Sequence, residues 1–393
     1  VTPQVLDWLA SGEGQRCLCE NATQDPQRLA LNAHRQPDKP LAEIAEQLHL
    51  RRNYAQKFGP WIDHILLTRV AAEQAASYAT ARWKAQHLEI KRSHAFDLCA
   101  GLGIDALARA AHGQAVVAVE QDPLRAQLLQ RNAELLQLEL EVINGDGLQA
   151  MTQAADSALL LCDPDRRASG QRSLDPQSWL PDPLAVVQSV GDQQGCLLKL
   201  PPGSRWQELC QQLPGDWRGV VLSARHECKE VLLQRQQGPT LAVGLNGDGS
   251  ERFRWQSGSN SCHPPCRERI GNIFVDPDPA IIRSGLVAEL LVHFDLAQVH
   301  PLVAFGHGDD PGPQFPGHRY QVIEAGEWDA KIIKACCKRH GIKALRVSRR
   351  HFPWDPPTTL KRLKLREGGN WRLCCYRDAE EHLCWVLGRH LND

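Results

Sequence analysis

What most constrains this chain is the alternation of short apolar runs with helical segments between residues 94 and 234. The runs fall at 95–99, 116–119, 140–143, 157–162, 196–200, 220–223 and 230–234, and residues 104–111 and 123–136 between them read as helices. Pro123 stands in the first turn of the second helix, where its missing N–H costs nothing. Strands alternating with helices predict a mostly parallel sheet covered on both faces. Such sheets bind ligands outside the carboxyl ends of their strands, so the residues just after each run carry the functional information.

The flanking regions read differently. Residues 1–92 have apolar spacing of helical period at 41–48 and 61–70 and an Ala-rich run at 74–85, which predicts an N-terminal helical region. Residues 239–275 are turn-rich and read as a linker or β excursion. From 276 onward a small α+β module is expected, with a helix at 280–293, a Gly/Pro/Asp loop at 306–317, a strand at 320–324, a basic helix at 331–340 and strands near Leu345 and Leu373.

Hydrophobic residues make up 42% and charged residues 23% of the 393, enough to bury a core without disulfides. No apolar run approaches the roughly 18 residues of a membrane helix, and residues 1–10 lack a basic stretch followed by an apolar core. The expectation is a cytoplasmic protein with no membrane contact. Of the fourteen cysteines, Cys99, Cys162 and Cys196 lie in strand-like runs as small hydrophobes. Cys17/Cys19 and Cys262/Cys266 lack the partner pairs of a four-ligand zinc site, so no metal is expected. The net charge is −1, yet between Lys331 and Arg366 six Lys and six Arg face a single acid, Asp355. This asymmetry predicts a surface turned toward a polyanion.

The first strand ends Asp97-Leu98-Cys99-Ala100-Gly101-Leu102-Gly103. The glycines allow a sharp turn and close approach of a ligand, and the next helix points its amides there. Gly101, Gly103 and Ala106 satisfy a dinucleotide fingerprint formally. Asp97 argues against a pyrophosphate, which it would repel, and suits the cationic amino-acid end of S-adenosyl-L-methionine. Glu120 and Gln121 end the second strand, where an acid can accept both ribose hydroxyls. Asp146 and Gly147 follow the third, and an Asp there can accept from an adenine amino group. The fourth ends in Asp163-Pro164-Asp165-Arg166-Arg167. Asp-Pro at this point can hold a target nitrogen with its lone pair aimed at a methyl group, so that catalysis is mostly positioning. Arg166 and Arg167 can bind phosphate or pair with nearby acids.

These motifs resemble the bacterial class I S-adenosylmethionine-dependent methyltransferases that carry a ferredoxin-like segment and a C-terminal THUMP-like domain. The resemblance also rests on Glu73-Gln74-Ala75-Ala76-Ser77 with Thr80-Ala81-Arg82-Trp83-Lys84-Ala85, on Glu227-Cys228-Lys229-Glu230, and on Phe315-Pro316-Gly317. Arg350-His351-Phe352-Pro353 and Leu363-Lys364-Leu365-Arg366-Glu367-Gly368-Gly369 extend it to the C-terminus. One departure is Lys199-Leu200-Pro201-Pro202, where the family tends to show Lys-Thr-Ser-Pro.

The resemblance implies a Rossmann-like α/β domain with a seven-stranded sheet at 93–238, after an N-terminal helical region at 1–92 and before a linker at 239–275. A ferredoxin-like segment at 276–316 and a small α+β THUMP-like domain at 317–393 complete the chain. It implies methyl transfer with RNA as substrate, to a base nitrogen of rRNA or tRNA, and no obligate protein partner. Asp97, Cys99, Gly101, Gly103, Glu120, Gln121, Asp146, Gly147 and Asp163 would hold the cofactor, and Asp163 and Pro164 the target nitrogen. Arg166, Arg167, Lys331, Lys334, Lys338, Arg349, Arg350, Lys361 and Lys364 would contact RNA, with Phe352 and Trp354 as stacking candidates. A silent RNA-binding scaffold, a protein or small-molecule acceptor and a nicotinamide enzyme remain as alternatives. A thiol nucleophile at Cys228 is disfavoured.

Overall fold

The computed structural model describes residues 2–33, 39–89, 91–155, 157–165, 175–191, 194–258, 263–267, 269–378 and 380–391. Arg166, Arg167 and Cys262 therefore lie outside the described residues. The chain forms two units, one of residues 1–225, 229–238 and 245–252, the other of 226–228, 239–244 and 253–393.

The first unit begins with helices α1 (Pro3–Ala10), α2 (Gly12–Asn21), α3 (Pro26–Leu31), α4 (Leu41–Phe58), α5 (Arg69–Gln74) and α6 (Tyr78–His87). Two expected helices are corrected. The 61–70 stretch is not one helix: a 3₁₀ turn at Gly59–Trp61 and a further turn lead into irregular chain at 65–68, and only Arg69 and Val70 are helical, in α5. Ile65, Leu66 and Leu67 are all fully buried there, and their backbone is satisfied from outside. The Asn132 carboxamide pairs both ways with Leu66, Gln47 does the same for Leu67, and Arg51 donates to the Ile65 carbonyl. Buried backbone must find partners somewhere, and such long-range amides have no local signature. The Ala-rich run also breaks, because the Ser77 hydroxyl accepts the Thr80 amide at 3.2 Å and starts α6 afresh.

The alternation follows as β1 (His94–Asp97), α7 (Ile104–Ala110), β2 (Ala115–Glu120), α8 (Pro123–Leu135), β3 (Glu141–Asn144), α9 (Gly147–Met151), β4 (Leu159–Cys162), α10 (Pro183–Ser189), β5 (Gly195–Leu200), α11 (Trp206–Gln212), β6 (Trp217–Ala224) and β7 (Glu227–Arg235). The strand order is β3-β2-β1-β4-β5-β7-β6, parallel from β3 to β5, with β7 antiparallel to β5. β4 is buried along its whole length, as a strand covered on both faces must be. The turn-rich 239–275 stretch contains a hairpin, β8 (Leu241–Leu245) and β9 (Glu251–Gln256), which brings the sheet to nine strands rather than seven.

The second unit has one sheet of seven strands, ordered β11-β12-β10-β13-β16-β15-β14. Its elements are β10 (Ile273–Pro277), α12 (Pro279–Ser284), α13 (Val287–His293), β11 (Ala297–His300), β12 (Val303–Gly308), β13 (Gly317–Glu327), α14 (Ala330–Arg339), β14 (Ala344–Arg350), α15 (Pro356–Leu363), β15 (Arg366–Arg377) and β16 (Leu383–His390). The expected 280–293 helix is two, broken at Gly285, whose φ of 81° ends α12. β10 pairs with β13 from Ile273–Gln321 to Pro277–Gly317, so the sheet crosses the 316/317 boundary drawn from sequence. No helix of the described residues is long and apolar enough to cross a membrane.

Candidate active site

Asp-Pro pairs recur in this chain, and most are explained by helix starts. Asp25, Asp122, Asp182, Asp278 and Asp355 each accept an amide of the helix that begins at the following proline. Asp163 is used differently. It follows β4, its side chain is 43% exposed, and its Oδ2 takes the Lys199 ammonium of β5 at 2.5 Å. This carboxylate opens into a cleft of about 720 Å³ at the carboxyl ends of β1 to β5. The cleft sits where β2 and β4 lie on opposite sides of β1, the switch point of an open α/β sheet.

Asp97, Cys99, Gly101, Glu120, Gln121, Asp146, Gly147, Asp163 and Pro164 all line this cleft. Asp97 is buried, and its one hydrogen bond among the described residues is from the Cys99 amide at 3.4 Å. Burial, with Asp105 and Asp163 nearby, pushes its carboxyl up to about 7. Such a group suits an incoming ammonium. Glu120 Oε2 accepts the Gly101 amide at 2.8 Å, while Oε1 accepts the Asp122 amide and Arg125. Asp146 caps α9 through the Gln149 amide and still faces the cleft.

Gly101 has a φ of 59° and open space where a Cβ would stand. Gly103 is not at the cleft wall. A Cβ there would fall 2.0 Å from Leu129 Cδ1, so this glycine makes room for the Leu129 side chain of α8. Gly147 is equally tight, with Leu98 O 2.1 Å from a Cβ position.

The sequence singles out Lys84, Asp105 and Glu230 only as parts of motifs, Asp105 as the end of the glycine-rich stretch that starts at Asp97. Lys84 Nζ lies 2.7 Å from Asp105 and 2.6 Å from Glu230, and Thr80 donates to Glu230 at 2.6 Å. The Lys84 and Glu230 side chains are buried, so each charge needs the other. The strand-end rule could have found Lys199, one residue before the end of β5. Among the described residues no aromatic side chain lines the cleft, and its outer wall near Asp165 is formed by Pro164, Leu180 and Pro181. Cys99 and Cys162 sulfurs lie 3.8 Å apart. The bond to Cys99 and burial push the Cys162 thiol well above its ordinary range, away from the thiolate a nucleophile needs. Cys228 does not line the cleft.

In the second unit, Lys331, Lys338, Arg349, Lys361 and Lys364 are exposed and Lys334 is half-buried. The opposite face of α14 buries Ile333, Cys336 and Cys337. Arg350 is engaged differently from its neighbours, donating to buried Asp276 at 2.9 Å and lying over the Phe305 ring. Phe352 is buried and cannot stack on a base as expected. Trp354 is half-buried beneath the Arg362 guanidinium, 4.1 Å from its ring centroid.

The strand order, the antiparallel seventh strand and the acid-lined cleft give the chain the fold of the class I S-adenosylmethionine-dependent methyltransferases. Residues 317–389 match a family profile described as THUMP domain-like. The chain is 25% identical over 334 residues to an uncharacterised S-adenosylmethionine-dependent methyltransferase of Mycobacterium tuberculosis, in strains CDC 1551 and H37Rv, covering 82% of this chain and 89% of that one. It also shares its fold with the crystal structure of a protein from Porphyromonas gingivalis W83 assigned as a methyltransferase. The TM-score is 0.79 at 21% identity, over 99% of this chain and 98% of that one.

Proposed function

We propose that this methyltransferase modifies RNA at a base nitrogen, with Asp163 and Pro164 holding the acceptor. The observation that carries the reading is the placement of an uncapped Asp-Pro on the same cleft as Asp97, Glu120 and Asp146. The residues fit S-adenosylmethionine, because Asp97 is a buried carboxylate awaiting a cation and Gly101 leaves its neighbourhood open. When bound, the sulfonium supplies an electrophilic methyl group and its own leaving group.

The chain's residues then bind and orient. Asp97 would take the cofactor's ammonium, Glu120 its ribose hydroxyls and Asp146 its adenine amino group. Asp163 would accept a hydrogen of the target amino group, fixing the nitrogen lone pair in line with the methyl carbon. Positioning of this kind can supply a large part of a transfer rate. With no aromatic wall among the described residues, the base would lie on Pro164, Leu180 and Pro181.

RNA as acceptor is supported by the THUMP-like match and by the exposed lysines and arginines of the second unit. Phosphate contacts from such side chains give salt-sensitive, sequence-independent affinity. Arg166 and Arg167, next in sequence after Asp163-Pro164-Asp165, would add to it. The test is transfer of tritiated methyl from S-adenosylmethionine to RNA from cells lacking the gene. Labelled RNA that disappears with Asp163→Ala supports the reading. Label in protein alone would replace RNA as acceptor.

A further inference from the structure

Two of the motifs shared with the resembling family, Thr80 to Ala85 and Glu227 to Glu230, have no role in the reading above, although Lys84 lines the cleft. They meet inside the first unit. Lys84 and Thr80 of α6 both bond Glu230 of β7, and Lys84 also bonds Asp105 of α7. Glu230 belongs to the strand that pairs with β5, where Lys199 faces Leu232 across the ladder. Residues two apart on a strand share a face, so Glu230 and Lys199 are diagonal neighbours. Asp105, Glu230 and Asp163 together hold the Lys199 ammonium charged, outweighing the opposite effect of its burial.

We propose that Lys199 is a positioning residue for the transfer step, held by the charges of the Glu230–Lys84–Asp105 cluster beside it and fixing the Asp163 carboxylate on the acceptor side of the cleft. The contrast in exposure supports this. The Lys199 side chain is 15% exposed and Asp163 is 43% exposed. One end of the pair is therefore set in the protein and the other is presented to the cleft. A single Nζ contact to Oδ2 leaves Oδ1 to accept from the target amino group. The other charged groups facing Lys199 are Lys57 of α4, pushed down to about 8 by burial and then by Lys199 itself, and Asp97 of β1. The Lys-Leu-Pro-Pro departure from Lys-Thr-Ser-Pro thus retains the cation while losing the neighbouring hydroxyls.

This inference rests on the methyl-transfer reading, and the experiment separates the two. Transfer to RNA and cofactor affinity are measured for the full chain and for Lys199→Met, Lys199→Arg, Asp163→Asn and the Lys199→Met/Asp163→Asn double variant. The expected result for Lys199→Met is a loss of transfer of about 100-fold, with cofactor affinity within about threefold, a factor worth less than one weak contact. Lys199→Arg should recover part of the rate. In the Asp163→Asn background, adding Lys199→Met should change transfer by less than about threefold, since the effect runs through Asp163. The neutral Asn–Met pair also leaves no lone buried charge if Lys199→Met alone fails to fold. Undiminished transfer by Lys199→Met, or full additivity in the double variant, would overturn the role of Lys199 and leave the transferase reading standing. A parent protein that labels no acceptor would overturn the transferase reading, and this inference with it.

Discussion

Glu120 accepts the Gly101 amide at 2.8 Å, so the acid that ends β2 also pins the glycine turn that ends β1. One carboxylate serves both the shape of the turn and the chemistry offered to a ribose. Glu120→Ala should therefore weaken S-adenosylmethionine binding at least about tenfold, or about 1.4 kcal/mol, while leaving the fold intact. Isothermal titration measures this, and an unchanged Kd would remove Glu120 from the cofactor site.

Asp97 makes binding pH-dependent in a defined sense. Burial raises its folded-state carboxyl to about 7, well above the ordinary carboxylate range. Below about pH 7 the unliganded protein is protonated there, and an ammonium ligand must displace that proton. Cofactor affinity should fall as pH drops through this window, by up to tenfold per unit, and Asp97→Asn should bind weakly with little slope. Titrations from pH 5.5 to 8.5 give both.

The same burial costs stability. A raised carboxyl favours the folded state below the unfolded value, and that advantage is lost as pH rises through about 7. Asp97→Asn should consequently melt higher than the parent at pH 8 and converge with it toward pH 4. The expected gain accrues at about 1.4 kcal/mol per pH unit at most. A lower Tm for Asp97→Asn at pH 8 would contradict it.

Gly101 and Gly103 should separate function from packing. Gly103→Ala meets Leu129 with φ at 79° and should cost about 2–4 kcal/mol in urea unfolding. Gly101→Ala meets nothing, and should cost about 1 kcal/mol from its positive φ. Equal losses at the two positions would argue against this division.

On the second unit, replacing Lys331, Lys334 and Lys338 together by Gln should reduce the salt dependence of RNA binding. The log–log slope should fall by about 2, at roughly 0.7 per phosphate contact. An unchanged slope would place the RNA elsewhere.

The sheet was legible because its strands are continuous apolar runs, and because Asp97, Glu120, Asp146 and Asp163 all sit at strand ends. Those positions come together in one cleft. What was not legible depends on long-range partners. Ile65 to Leu67 read as helical by spacing, but are held in irregular chain by Gln47, Asn132 and Arg51 from other helices. Gly103 looked like a ligand-facing glycine and instead makes room for Leu129. Phe352 looked like a stacking surface beside basic residues and is core. Lys84, Asp105 and Glu230 are far apart in sequence, so their cluster has no local pattern.

The central claim is methyl transfer to RNA through Asp163, and paired radiolabelling tests it most directly. The full chain and its Asp163→Ala variant are incubated with tritiated S-adenosylmethionine, RNA from cells lacking the gene and total protein from the same cells. The account predicts label in an RNA size class with the parent, none with the variant, and cofactor affinity nearly equal in the two. Equal labelling by Asp163→Ala, or label confined to protein, would contradict it.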